Sequence, residues 1–136
     1  MTAMKRHSHL AEARIIIPQG VNIWPHELKT AQALVAAGHT VEFIRASNRV
    51  RQTTADCLID GELWELKAPT SGKLSSIEDN LKKASNQSGL IVFDTRRMKR
   101  IPAHAIEREL VAKSHANKSV QKVILINNHG KAIDIK

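Results

Sequence analysis

Asp56, Glu65 and Lys67 are the residues of this sequence whose types and spacing suggest a chemical task. Two carboxylates brought together can hold a divalent cation, because Mg²⁺ and Mn²⁺ prefer hard oxygen ligands. Such an ion polarises a phosphate, activates a water and offsets developing negative charge. A lysine beside it would orient that water or stabilise a phosphorane-like transition state. The chemistry such a set would serve is metal-dependent hydrolysis of a phosphodiester.

The segment between these residues says how they would meet. Asp60-Gly61 lies between two apolar-rich runs, Cys57-Leu58-Ile59 and Leu63-Trp64-Glu65-Leu66, and Asp-Gly in that setting is a strong hairpin signal. With Asp60 and Gly61 as the central turn residues, Ile59 faces Glu62, Leu58 faces Leu63, Cys57 faces Trp64 and Asp56 faces Glu65. Lys67, two residues past Glu65, shares its face, while Trp64 and Leu66 point into the core. Opposed carboxylates destabilise a sheet, and a bridging cation would remove that conflict. Without one, Asp56 and Glu65 read as exposed residues of a half-solvated sheet, Lys67 as an ion-pair partner and Asp60 as a turn former.

Other candidates are weaker one by one. Glu27 falls in the first turn of a helix, where the dipole favours an acid and where a third acid could reach the metal. Asn80, Lys83 and Gln87 form a polar stripe at helical spacing, fit either for approaching a phosphate or for a solvated face. Arg96, Arg97, Lys99 and Arg100 cluster after a short strand as a contact for phosphate backbone. The seven histidines show no metal-ligand spacing. Cys57 is the sole cysteine, so no internal disulfide forms, and its expected place on the core face gives it no strong case as a nucleophile.

The chain must position these groups with 136 residues, enough for one domain with an apolar core. Hydrophobic content of 42% and charged content of 25% suit an ordinary globular protein. No apolar run approaches the roughly 20 residues of a membrane span. The first nine residues lack the apolar core of a secretory signal. Net charge is +8, concentrated in the last third: from Arg96 onward there are ten Lys or Arg against three Asp or Glu. Nucleic acid is the partner such a basic region implies. Aromatics make up only 3%, with no Tyr, which argues against a base-stacking sheet and for binding mainly through phosphates.

Periodicity and turn residues predict the elements. Residues 1–22 read as a leader or linker ahead of a domain spanning 23–136, with Ile15-Ile16-Ile17 as an edge strand or a remnant of a larger chain. Pro25 and Gly38 bracket a helix over 25–37. A strand follows over 40–46, a polar loop over 47–54 and the hairpin up to Pro69. A second helix over 74–87, a strand over 90–94, a third helix over 103–115, a strand over 123–127 and a last strand over 131–135 complete the order α-β-β-β-α-β-α-β-β. The expected fold is α/β (α+β): one domain with a mixed central sheet flanked by helices.

Asp56, then Glu65-Leu66-Lys67, resembles the Asp…Glu-x-Lys signature of the PD-(D/E)XK nuclease superfamily. The wider pattern is similar to the C-terminal toxin domains of contact-dependent growth inhibition (CdiA-type) proteins, over roughly residues 22–135. It comprises Glu27 in a helix ending at Gly38, the strand Val41-Glu42-Phe43-Ile44, the hairpin from Ala55 to Pro69, the run Asn80 to Ser88 and the strand Leu90 to Asp94. The resemblance implies a restriction-endonuclease-like core and a metal-dependent nuclease, with tRNA ahead of DNA as substrate. Asp56 and Glu65 would bind Mg²⁺ or Mn²⁺, Lys67 would be the catalytic lysine and Glu27 the helix acid. It also implies a cognate immunity protein, delivery as part of a larger secreted bacterial protein, and action in the cytoplasm. Ala55 stands where the family usually has proline, a position that supplies no ligand. A DNA endonuclease and a catalytically silent nucleic-acid-binding module are the alternatives on this fold.

Overall fold

Pro25 fixes the start of the first helix, because its ring presets φ and its missing N–H would be unpaired there in any case. The computed structural model describes residues 13–44 and 56–136, and in it this helix, α1, spans Pro25–Ala36. Gly38, at φ +99°, ends it. The amides of Gly38 and His39 bond back to the carbonyls of Val35 and Leu34 at 2.9 and 3.0 Å, a glycine-terminated helix end. The chain then returns as a strand. The strand expected over 40–46 is observed as Val41–Phe43, while residues 45–46 and the loop expected over 47–54 lie outside the described residues.

Ten elements are described in all. They are β1 (Ile15–Ile16), α1, β2 (Val41–Phe43), β3 (Cys57–Ile59), β4 (Glu62–Lys67), α2 (Ser75–Ser85), β5 (Leu90–Asp94), α3 (Ala103–Ala116), β6 (Lys122–Ile126) and β7 (Ala132–Asp134). The strands form one mixed sheet in the order β1 to β7. β1 runs parallel to β2, β2–β3–β4 is antiparallel, β4–β5–β6 is parallel, and β7 closes antiparallel on β6. The expected mixed α+β domain is therefore what is found. Of the two readings for Ile15 to Ile17, the edge strand is realised: Ile15 and Ile16 pair with Val41 and Glu42, and Ile15 and Val21 pack on the core.

Both faces of the sheet are covered where β4, β5 and β6 meet the helices. On one face, Ala31 and Leu34 of α1 pack with Val41, Phe43, Cys57, Ile59, Trp64, Val92 and Ile124. On the other, Ile77 and Leu81 of α2 and Ile106 and Leu110 of α3 pack with Ile91, Phe93, Val123 and Leu125. Strand alternation thus divides β4. Trp64 and Leu66 join the α1 side, as expected. Glu65 and Lys67, in register with Ile91 and Phe93, lie on the side of α2.

Two expectations need adjusting. The second helix ends at Ser85 rather than 87, where Gln87 and Ser88 turn their amides to the Ala84 carbonyl. The hairpin register holds from Ile59↔Glu62 through Cys57↔Trp64, but Asp56 is not a further ladder partner of Glu65. Its N–H donates to the Trp64 carbonyl at 3.1 Å, a departure from strict alternation of the kind a β-bulge makes.

Candidate active site

The hairpin is set by its turn. Asp60 and Gly61 have φ of +50° and +88°, the left-handed pair that matches the twist of the flanking strands. Asp60 does more than turn: its carboxylate accepts the Thr40 N–H at 2.9 Å and lies 2.6 Å from His39 Nδ1. The β3–β4 turn is thereby fastened to the segment leaving α1. Partial burial alone would raise the Asp60 carboxyl, but the hydrogen bonds from His39 and Thr40 outweigh it and hold it below the usual carboxylate value.

At the opposite end of the hairpin, β4 runs on past the start of β3. The Leu66 N–H, left without a strand partner there, donates to Asp56 Oδ2 at 2.9 Å. The carboxylate thus supplies the acceptor that the shorter strand cannot. Glu65, one residue earlier, is 7% exposed. Burying a carboxylate is costly unless it is partnered, and Lys67 Nζ stands 3.8 Å from Glu65 Oε2. Across the sheet, Glu27 in the first turn of α1 accepts the Trp24 N–H at 2.9 Å. It lines a small cavity of about 140 Å³ together with Asp56, Phe43 and Trp24.

Cys57 lies among these acids. Burial first, and then the negative charges of Asp56, Glu65 and Glu27, push its thiol well up. The thiol therefore stays protonated and is no nucleophile, as its core position suggested. Among the described residues, no group of three or more His, Cys, Asp or Glu forms a metal cage. A cation here would rest on fewer protein ligands.

A basic cleft of about 260 Å³ lies nearby, lined by His26, Lys29, Asp94, Arg96, Arg97 and Lys99. Arg97 ties it to the hairpin, donating to the Ala68 carbonyl, one residue past Lys67, at 3.0 Å. Of the four cations expected to act together, Arg96, Arg97 and Lys99 share this cleft. Arg100 instead lies along Gly72, where a Cβ would meet its side chain at 3.3 Å. Arg96 is largely taken up by structure. It bonds both oxygens of Asp94, at 3.0 and 2.7 Å, and the Lys29 carbonyl at 3.1 Å. Asp94, 3% exposed, also accepts from Thr30 Oγ1 at 2.6 Å, so this buried carboxylate joins α1 to β5. The sequence held one signal for it: an acid closing the apolar run Leu90-Ile91-Val92-Phe93.

The second-helix stripe is not part of that cleft. Glu78 and Lys113 approach within 3.8 Å between α2 and α3, so Asn80 and Lys83 lie on the other flank of α2. Lys83 is exposed. Gln87 lies beyond the helix end, next to Ser88, whose hydroxyl donates to the Leu63 carbonyl near the start of β4. It sits away from the Lys67 end of that strand, and its buried Oε1 finds no hydrogen-bond partner among the described residues.

The fold is similar to that of a chain in a solved CdiA-CT/CdiI toxin and immunity complex from Burkholderia pseudomallei. The TM-score is 0.67 at 21% sequence identity, covering 90% of this chain and 98% of that one. No curated protein matches the chain in sequence. Residues 52–132, which include the hairpin with Asp56, Glu65 and Lys67, match the model of the contact-dependent growth inhibition CdiA C-terminal domain. That match spans more than half of the chain, which therefore belongs to this bacterial family of toxin domains.

Proposed function

We propose that the domain is a metal-dependent endonuclease of the PD-(D/E)XK type that hydrolyses phosphodiester bonds in RNA, tRNA foremost. The observation that carries this reading is that the Asp56 carboxylate reaches the N–H of Leu66, the residue between Glu65 and Lys67, while Lys67 stands 3.8 Å from Glu65, which brings the three groups to one end of the hairpin. Carboxylates gathered in a partly buried region repel one another, and a divalent cation relieves the repulsion. Asp56 and Glu65 would hold Mg²⁺ or Mn²⁺, an ion that commonly takes one or two carboxylates and completes its shell with waters and substrate phosphate. When bound, it would polarise the phosphate and acidify a water.

The chain's own groups supply the rest. The Asp56 carboxylate is oriented by the Leu66 N–H. The Lys67 side chain, 25% exposed, can orient the attacking water or counter charge developing on the phosphate. Glu27 adds a third carboxylate from the α1 side. Lys29, Arg97 and Lys99 offer positive charge to the flanking phosphates, with Lys83 and Arg100 at the periphery; Gln87 lies away from them. A cognate immunity protein would cover the basic cleft, in keeping with the toxin and immunity complex that shares this fold. As a family member, the domain would be delivered by a larger secreted protein and act in the cytoplasm of the target cell. The test is incubation of total RNA, linear DNA and supercoiled DNA with Mg²⁺, Mn²⁺ or EDTA. Metal-dependent loss of tRNA supports the reading, and cutting of DNA alone would replace the substrate with DNA.

A further inference from the structure

Helix N-caps are normally Ser, Thr, Asp or Asn, whose side chains accept a backbone N–H. α1 has Trp24 in that position, and its side chain makes no capping bond. The helix start is secured instead by Pro25 and by the Glu27 carboxylate on the Trp24 amide. Nor does the indole serve the core: Trp24 is 68% exposed, whereas Trp64 is 5% exposed. A large apolar ring thus stands largely in solvent. The His26 ring lies nearly parallel to it at a centroid distance of 6.5 Å and an interplanar angle of 14°, within the range of offset aromatic pairs.

Its location gives the ring a use. Trp24 lines the small cavity it shares with Glu27 and Asp56. His26 and Lys29, on the same two turns of α1, line the basic cleft. The ring pair therefore stands between the carboxylates and the cations that would hold phosphate. We propose that Trp24, backed by His26, is a stacking platform for one unpaired nucleobase next to the cleaved phosphate. This rests on the nuclease reading and deepens it, because a base must leave its duplex neighbours to stack on a side chain. The substrate class is then single-stranded or looped nucleic acid rather than continuous duplex. Scarcity of aromatics excludes a platform of many rings, not a single site.

The experiment uses the full chain carrying Glu65→Gln, titrated with a short unstructured RNA and with the duplex of the same sequence, while tryptophan emission is followed. Trp24 is the exposed reporter and Trp64 the buried background. The single strand should quench the exposed emission and the duplex should not. Read by the anisotropy of a labelled RNA, which does not depend on the tryptophan, Trp24→Ala should weaken binding about 10- to 100-fold, the usual effect of losing one base–aromatic stack. Trp24→Phe should restore most of the affinity. In the cleaving protein, Trp24→Ala should raise KM far more than it lowers kcat. If the chain cuts nucleic acid while Trp24→Ala binds and cuts like the parent, or if duplex quenches equally well, the platform is overturned and the nuclease reading stands. If no nucleic acid is bound or cut at all, both fall.

Discussion

Glu65 places an ionisable group where a central strand normally carries an apolar one, between the buried Trp64 and the half-buried Leu66. A structural role would leave room for an uncharged isostere, whereas a ligand role would not. Glu65→Gln and Asp56→Asn should each lower cleavage at least about 100-fold, the scale of losing one charge-stabilising group, with an unchanged circular dichroism spectrum. Lys67→Met should do likewise and leave the metal requirement in place. Cys57 should behave in the opposite way. Because burial and three acids raise its thiol, it should resist alkylation at neutral pH until the protein unfolds, and Cys57→Ala should keep cleaving. Rapid native-state labelling of Cys57 would contradict its burial under α1.

Among the elements, the hairpin was the most legible in the sequence. Asp60-Gly61 fixes both the turn and the register, so the pairing of Cys57 with Trp64 could be read directly. Beyond that pair local rules ran out. Whether Asp56 faces Glu65 depends on β3 ending before β4, which sends its carboxylate to the Leu66 N–H. Asp94 was missed for a similar reason, since its partners Thr30 and Arg96 come from α1 and a loop. Arg96, read as a phosphate contact, is first a structural cation. Asp94→Ala would leave that guanidinium partly buried without its partner and should destabilise the fold by about 3 kcal/mol, as breaking a buried pair does; urea unfolding measures this. The Asp60 clasp gives a pH signature. Its carboxyl is lowered in the folded state, so its contribution is present above the unfolded value of about 3.9 and is lost as pH falls through the folded value. Asp60→Asn, which tolerates the left-handed turn, should flatten the acid-side loss of stability below about pH 4.

For the whole molecule, the charge distribution and the fold class were available from composition and periodicity, while the meeting of α1 with the hairpin was not. Glu27 and Asp56 come into one cavity because α1 packs on the sheet beside β2 and β3. On the proposed function, the net charge of +8 should make binding to nucleic acid weaken steeply with salt. Replacing Lys99 by Gln should lower the slope of log affinity against log salt by about 1, as expected for one lost phosphate contact. The most direct measurement is cleavage of total RNA by the domain and by Glu65→Gln, each with Mg²⁺, Mn²⁺ or EDTA. The predicted result is loss of tRNA with metal and none with EDTA or with Glu65→Gln. Cleavage that persists in EDTA, or in the Glu65→Gln protein, would contradict a metal-dependent site built on Asp56 and Glu65.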